Sequence, residues 1–412
     1  MEPISEHFVF FTPDIHAGTK IDLVSSLLYL NQSIILSSLS GGLKSYYKPP
    51  VAVTTSFQAN DTRPQVVVPK KRVLGKEEIP NLASEYFLKR NFDRIRLHSQ
   101  FRVSDCVVCM FYPSQCQLFI PFNKTVLFLP AHRFMLDRCF PLDNRHLIKM
   151  MFSGFDNVLV AAADRYDAEY INYFSGKHVP IIQASSLFAQ KEPDFYHPTF
   201  EEFLVAPMKF RSVQYLSNMT HSCYKHGYNC SFTTVLQKCG NDWKTSVLSR
   251  FKAAIVFPYA VLSYYLNDLM SACTPLFVPS PRFLIKLNIL KDVRNSDDVY
   301  CGRRFIPPKK SPESVHPYSP EDPSEEAQLY WLQFASFYSP AVVTFDSWDD
   351  LAMKLHSTNL TDMFWRRKRE NEKIRKHNVH EWQKVFRLIQ KNREMPFSYE
   401  DALNKFGVNS FF

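Results

Sequence analysis

Residues 253–281, AAIVFPYAVLSYYLNDLMSACTPLFVPSP, constrain the fold more than any other part of the chain. Ala254-Ile255-Val256-Phe257 and Leu276-Phe277-Val278 are unbroken apolar runs, the pattern of strands that carry helices on both faces of a parallel sheet. Pro258 stops the first run. Between the two, Leu262, Tyr265, Leu266, Leu269 and Met270 recur at helical spacing until Pro275 opens the next strand. The order strand, turn, helix, strand predicts a parallel α/β unit. Ser263 and Asp268 fall outside the apolar pattern and are left for chemistry.

The opening of the chain repeats this logic. Residues 7–11 form an apolar run, residues 12–20 a polar loop, and Ile21, Val24, Leu27 and Leu28 one face of a helix before the apolar triplet at 34–36. This predicts a βαβ unit. Residues 40–72 read as a long excursion, with an edge strand at 66–68. A helix is expected over 81–97, and strands over 107–111, 126–129, 158–162 and 180–182. Residues 163–174 read as a loop entering an amphipathic helix, with Asp167 near its positive end. Residues 185–200, with Pro193 and Pro198, read as a linker. A second series of elements then runs from 203 to 346, interrupted by a Pro-, Ser- and Glu-rich stretch at 309–326 that reads as a mobile surface loop. Trp382, Val385, Phe386 and Ile389 share one face of a terminal helix.

At 412 residues the chain exceeds the size at which one core stops growing, so two domains are expected. Only 10 glycines are present, with neither a GxGxxG fingerprint nor a GxxxxGK[ST] loop, which argues against a kinase, a P-loop NTPase and a common NAD dehydrogenase. The net charge of +9 includes a dense run from Arg366 to Lys376, read as a solvated helix face rather than a nucleic-acid site. Nine cysteines include one CxxC, Cys106 and Cys109, inside an apolar run. They are read as core thiols in preference to zinc ligands, and the odd count leans toward a reducing compartment. The polar start MEPISEH is unlike a signal peptide, and no run approaches the ~18 apolar residues of a membrane helix. Six N-x-[ST] sequons nevertheless occur, at Asn31, Asn60, Asn123, Asn218, Asn229 and Asn359. As written the chain reads as cytoplasmic, with the Golgi or ER lumen as the alternative if an N-terminal anchor is missing; surface association with a membrane stays open.

The 253–281 stretch resembles the second domain of nucleotide-sugar glycosyltransferases of the two-Rossmann-domain (GT-B) type. There a helix carries a carboxylate, a glycine follows five residues later, and a strand begins with proline. Here Asp268 stands for the carboxylate, usually Glu, Cys273 for the glycine, and Thr274-Pro275 leads into the strand. Residues 330–351 also look like the late part of uncharacterised eukaryotic GT-B-like proteins. The resemblance implies an α/β chain with two doubly wound Rossmann-like domains facing each other across a cleft. These would be an acceptor-side domain at 1–190 and a donor domain at 201–365, followed by basic, amphipathic C-terminal helices at 366–412. It implies glycosyl transfer from a nucleotide-sugar co-substrate to a glycan, lipid or protein, or else an inactive scaffold that binds a glycan or a partner.

Three constellations follow. Asp14 and His16, with Gly18, Thr19 and Asp22, lie where a strand enters a helix and could act as the acceptor-side general base, or simply cap that helix. Tyr259, Ser263 and Asp268 form the expected donor site, with Asp268 on the ribose hydroxyls and Ser263 or nearby amides on the diphosphate; the alternative is an ordinary exposed helix residue at 268. His132 and Arg133 follow a strand and suit an anionic or polyhydroxyl ligand, with Asp167 a further candidate, although an Arg133–Asp137 pair is an equal structural explanation. No DxD pattern is present and no metal is expected. No nucleic-acid partner or further cofactor is expected.

Overall fold

The computed structural model describes residues 6–13, 17–36, 51, 53–61, 63–68, 95, 98–111, 113–122, 124–131, 148, 151–152, 154–191, 195–206, 212–240, 244–258, 260–287 and 310–394. Asp14, His16, His132, Arg133 and Tyr259 lie outside them, as does the helix expected over 81–97 apart from Ile95. The chain divides into two compact units. The first comprises Met1–Gln183, Tyr300–His316 and His377–Phe412; the second comprises Ala184–Val299 and Pro317–Lys376.

The first unit is built on a seven-stranded parallel sheet. Its strands are β1 (Val9–Thr12), β2 (Ser33–Leu36), β3 (Val53–Thr54), β4 (Val66–Val67), β5 (Cys106–Cys109), β6 (Thr125–Phe128) and β7 (Val158–Val160). Their order is β3-β4-β2-β1-β5-β6-β7. Helix α1 (Ala17–Tyr29) supplies the crossover from β1 to β2, whose registers pair Phe10 with Ile34 and Phe11 with Ile35. Phe10, Phe11, Val107 and Val108 have no exposed surface, as expected of strands covered on both faces. Two polar side chains are tied into the sheet: Gln32 Oε1 accepts from the Phe8 amide, and an Asp105 oxygen accepts from the Val9 amide. Helix α2 (Arg165–Ser175) starts where Asp164 accepts the Asp167 amide at 2.7 Å and ends at Gly176 in the left-handed conformation.

The second unit carries five parallel strands, β8 (Phe203–Val205), β9 (Phe232–Thr234), β10 (Ala253–Ile255), β11 (Leu276–Pro279) and β12 (Val343–Phe345), in the order β12-β11-β10-β8-β9. The chain enters at β8, adds β9 on one side, then crosses back to add β10, β11 and β12 on the other. This is a doubly wound sheet with its topological switch between β8 and β10. Helices α3 (Ser212–Lys225), α4 (Tyr264–Ser271), α5 (Glu325–Leu332) and α6 (Trp348–Ser357) belong to this unit. One face of the sheet packs Leu204, Ala254 and Leu276 against Leu266, Leu269 and Leu332, and the other packs Phe203, Ile255 and Phe277 against Tyr215, Met219 and Leu351. The expected α/β class with two doubly wound parallel sheets is what the chain forms.

Helix α7 (Leu360–Glu394) supplies residues to both units. Within the first unit, Trp382 meets Phe10 edge-on at 5.7 Å and Phe386 stacks on Phe8 at 5.5 Å. Within the second, Asn371 Nδ2 donates to the carbonyls of Met270 (3.0 Å) and Ser271 (3.1 Å), closing the C-terminus of α4 from outside.

Four sequence expectations change. Cys109, read as a core thiol, is bonded to Cys116, and Cys223 is bonded to Cys230. Both pairs are seven residues apart and hold their Cα atoms 5.8 and 6.1 Å apart, within ordinary disulfide reach. Cys109 is thereby withdrawn from any CxxC ligand pair, while Cys106 remains a buried thiol. The stretch read as a mobile loop is organised by its own hydroxyls from Lys310 onward. Ser311, Ser314, Ser319 and Ser324 each accept a nearby backbone amide, and His316 is buried beside Glu169.

The stretch read as a linker is bonded along the second unit, with Tyr196 donating its amide to Ala272 O and Phe200 to Arg250 O. Its prolines signalled a break in secondary structure, which is present, and not a break in packing. The basic run on α7 is a solvated face only in part: Arg366, Arg369, Lys373 and Lys376 are exposed, and Arg367 is not. Arg367 is buried, donating to Ser339 Oγ at 2.6 Å and pairing with Glu370 at 3.1 Å. Arg366 pairs with Asp362, and Lys368 lies over the Trp365 ring.

Candidate functional site

In open α/β sheets ligands bind outside the carboxyl ends of the strands at the switch point. In the second unit that position is reached by the chain leaving β10. After Ile255 the backbone continues through buried Val256 and Phe257 to Pro258, and then through buried Ala260, Val261 and Leu262 into α4. Ser263 is the N-cap of α4, with an extended backbone, and its carbonyl accepts the Asn267 amide at 3.0 Å. Its hydroxyl does not cap the helix. Ser263 Oγ is buried and finds no hydrogen-bond partner among the described residues.

Asn267 stands one turn further on. Four residues apart in a helix, Ser263 and Asn267 share a face. Asn267 is 4% exposed and its Nδ2 likewise has no partner among the described residues. A hydroxyl and an amide donor thus lie one turn apart at the start of a helix whose dipole favours negative charge, both sealed from bulk water and neither with a partner among the described residues. Unmade hydrogen bonds of this kind each cost about 1–3 kcal/mol unless a water or a ligand completes them. Sequence reasoning named Ser263 and missed Asn267, which was available from its i+4 spacing.

Asp268 is the next residue, rotated to another side of α4 and half-buried. Its Oδ1 accepts a hydrogen bond from Ser186 Oγ at 2.6 Å. Ser186 lies at φ 39° at the head of a short turn, residues 187–190, that packs on α4. The neighbouring Ser185 carbonyl accepts from Ser271 Oγ at the far end of the same helix. The helix C-terminus is equally well determined. Cys273 takes the left-handed conformation at φ 63°, the geometry for which glycine is ordinarily used. The cysteine that stands at the resembling family's glycine position therefore keeps the glycine's backbone. Its sulfur is buried, accepts from Asn371 Nδ2 at 3.3 Å, and burial pushes the thiol up to about 12.

In the first unit, Asp167 is buried in the first turn of α2, where its amide donates to Asp164. Ser263, Asn267 and Asp268 are thus brought together on one helix, while Asp167 belongs to the other unit.

No family model matches the chain, and no curated protein matches it. Among solved structures it is similar to a glycotransferase of kitacinnamycin, at 8% identity and a TM-score of 0.44, over 94% of this chain and 100% of the other. It is also similar to the glycosyltransferase SnogD from Streptomyces nogalater, at 13% identity and a TM-score of 0.38, over 98% and 99%. UDP-N-acetylglucosamine 2-epimerase from Rickettsia bellii is similar at 10% identity and a TM-score of 0.32, over 97% and 98%. At such scores the weight of a functional reading falls on the residues of the site.

Proposed function

We propose that the chain is a metal-independent glycosyltransferase that moves a sugar from a nucleotide-sugar donor to a glycan, lipid or protein. The observation that carries this reading is the buried, unsatisfied pair Ser263 Oγ and Asn267 Nδ2 at the N-terminus of α4, beside the switch of the second sheet. Both atoms can donate to diphosphate oxygens, and the helix dipole adds to their effect as the leaving group gains charge. Asp268 on the same helix would take the ribose hydroxyls, with Tyr259 nearby in sequence. The acceptor hydroxyl would lose its proton to His16 or Asp14 as its oxygen bonds to the sugar C1. The bond from C1 to the diphosphate breaks in the same transfer. His132, Arg133 and Asp167 remain candidates for holding the acceptor.

A second reading, an inactive scaffold that keeps the fold and binds a glycan or a partner, is favoured by the Ser186–Asp268 hydrogen bond, which occupies a carboxylate oxygen a ribose would use. Thermal unfolding with a panel of UDP-, GDP- and CMP-sugars separates the two, because a ligand that binds only the folded state raises its stability. A selective rise of several degrees, on the order of 1–3 kcal/mol, that is lost in Asn267→Ala supports the transferase. No rise with any donor at millimolar concentration leaves the scaffold.

A further inference from the structure

The asparagines of this chain fall into two groups. Those outside N-x-[ST] sequons are, among the described residues, built into the interior. Asn172, Asn267, Asn371, Asn378 and Asn392 are buried, and half-buried Asn157 shares its Nδ2 among the carbonyls of Ile120, Phe122 and Lys124. The described sequon asparagines do the opposite. Asn31, Asn60, Asn229 and Asn359 are exposed and Asn218 is half-buried. None of their Nδ2 atoms donates a hydrogen bond among the described residues. Chance would place sequons without regard to burial, so the separation calls for a cause.

Three of these sites share one layer of the second unit. Asn218 lies on α3, Asn229 in the turn that follows it, and Asn359 in the turn between α6 and α7. Helices α3 and α6 pack together, joined by Lys225–Asp349 at 2.6 Å and by Tyr228 stacked on His356 at 4.3 Å. At all three sites the hydroxyl two residues on (Thr220, Ser231 and Thr361) is exposed as well. At Asn31 the corresponding Ser33 is fully buried. The turn carrying Asn229 is itself closed by the Cys223–Cys230 disulfide, and Cys109–Cys116 closes a second loop in the other unit. Disulfides of this kind persist in oxidising compartments, where N-linked glycans are also added.

We propose that this chain matures in an oxidising secretory compartment and carries N-linked glycans on Asn218, Asn229 and Asn359. In each modification the asparagine Nδ2 bonds to C1 of an oligosaccharide as the bond from C1 to a polyprenyl diphosphate breaks. The diphosphate carries away the electron pair, and Nδ2 loses one proton. In each disulfide two thiols lose two protons and two electrons to a protein disulfide, which is reduced to a dithiol. The inference stands independently of the donor site.

The test uses the protein isolated from the cells that make it, denatured and alkylated without reduction, digested, and deglycosylated by a peptide N-glycanase in heavy-oxygen water. The expected result is mass-labelled aspartate at residues 218, 229 and 359, unlabelled asparagine at 172, 267, 371, 378 and 392, and linked peptides joining Cys109 to Cys116 and Cys223 to Cys230. Unlabelled asparagine at all three sites overturns the proposal, as do alkylated Cys223 and Cys230.

Discussion

Ser186 Oγ donates to Asp268 Oδ1 across 2.6 Å, joining a turn in the left-handed region to the helix proposed to hold a nucleotide. A hydrogen bond to an ionised carboxylate contributes about 1.5–3 kcal/mol. As the ribose acceptor, Asp268 is required for binding and Ser186 competes with the ligand. Asp268→Ala should then weaken nucleotide-sugar affinity at least about tenfold, or roughly 1.4 kcal/mol, while Ser186→Ala leaves it unchanged or raises it. Titration calorimetry reads both. Equal losses of stability with unchanged affinity would reduce the pair to a packing contact.

Cys273 pairs a buried side chain with a left-handed backbone. A side-chain-bearing residue there costs about 1–2 kcal/mol relative to glycine. Cys273→Gly and Cys273→Ala both lose the sulfur, so the difference between them isolates the backbone. Cys273→Gly should be more stable than Cys273→Ala by about 1 kcal/mol, the reverse of their order inside a helix. Urea midpoints decide it, and a more stable alanine variant would refute the conformation.

Gly176 combines φ 72° with a close neighbour. A Cβ there would overlap Glu313 Cβ and sit 2.8 Å from Ser311 Oγ. Gly176→Ala should therefore destabilise the first unit by about 2–4 kcal/mol, the sum of left-handed strain and overpacking. At Gly227, also left-handed but with open space around the missing Cβ, the same change should cost about 1–2 kcal/mol. Equal losses at the two positions would show that the 310–316 segment does not pack on α2.

His316 is 2% exposed and lies 3.2 Å from Glu169 Oε2. Burial lowers its pKa below the ordinary 6.5, outweighing the pull of Glu169, whose carboxylate keeps more contact with water. The unfolded chain therefore binds the proton more readily than the folded one, and stability rises with pH through the unfolded value near 6.5. Acidification from pH 7.5 to 5.5 should lower the urea midpoint of the first unit, and His316→Gln should remove that part of the slope. A midpoint that rises on acidification would assign the dominant effect to the ion pair.

The parallel sheets were legible because their strands are short apolar runs closed by proline or a polar turn, as at residues 254–258. The period of α4 placed Ser263 and Asp268 on a helix, and the resemblance put Cys273 at a glycine position, where the backbone is left-handed. Contacts made at long sequence distance carried no local sign. Ser186 reaches Asp268 across 82 residues from a stretch whose prolines suggested a linker, and Asn371 reaches Met270 across 101. The disulfides do not join the CxxC pair, and among the described residues the two bonded pairs share a separation of seven.

Each unit also contains a sealed thiol, Cys106 on β5 in the first and Cys273 behind α4 in the second, and burial raises the pKa of both. A reagent that attacks thiolates can reach either sulfur only when the surrounding structure opens. Pulse alkylation followed by peptide mapping would therefore time the opening around each sulfur separately in one sample, using buried thiols the chain already carries.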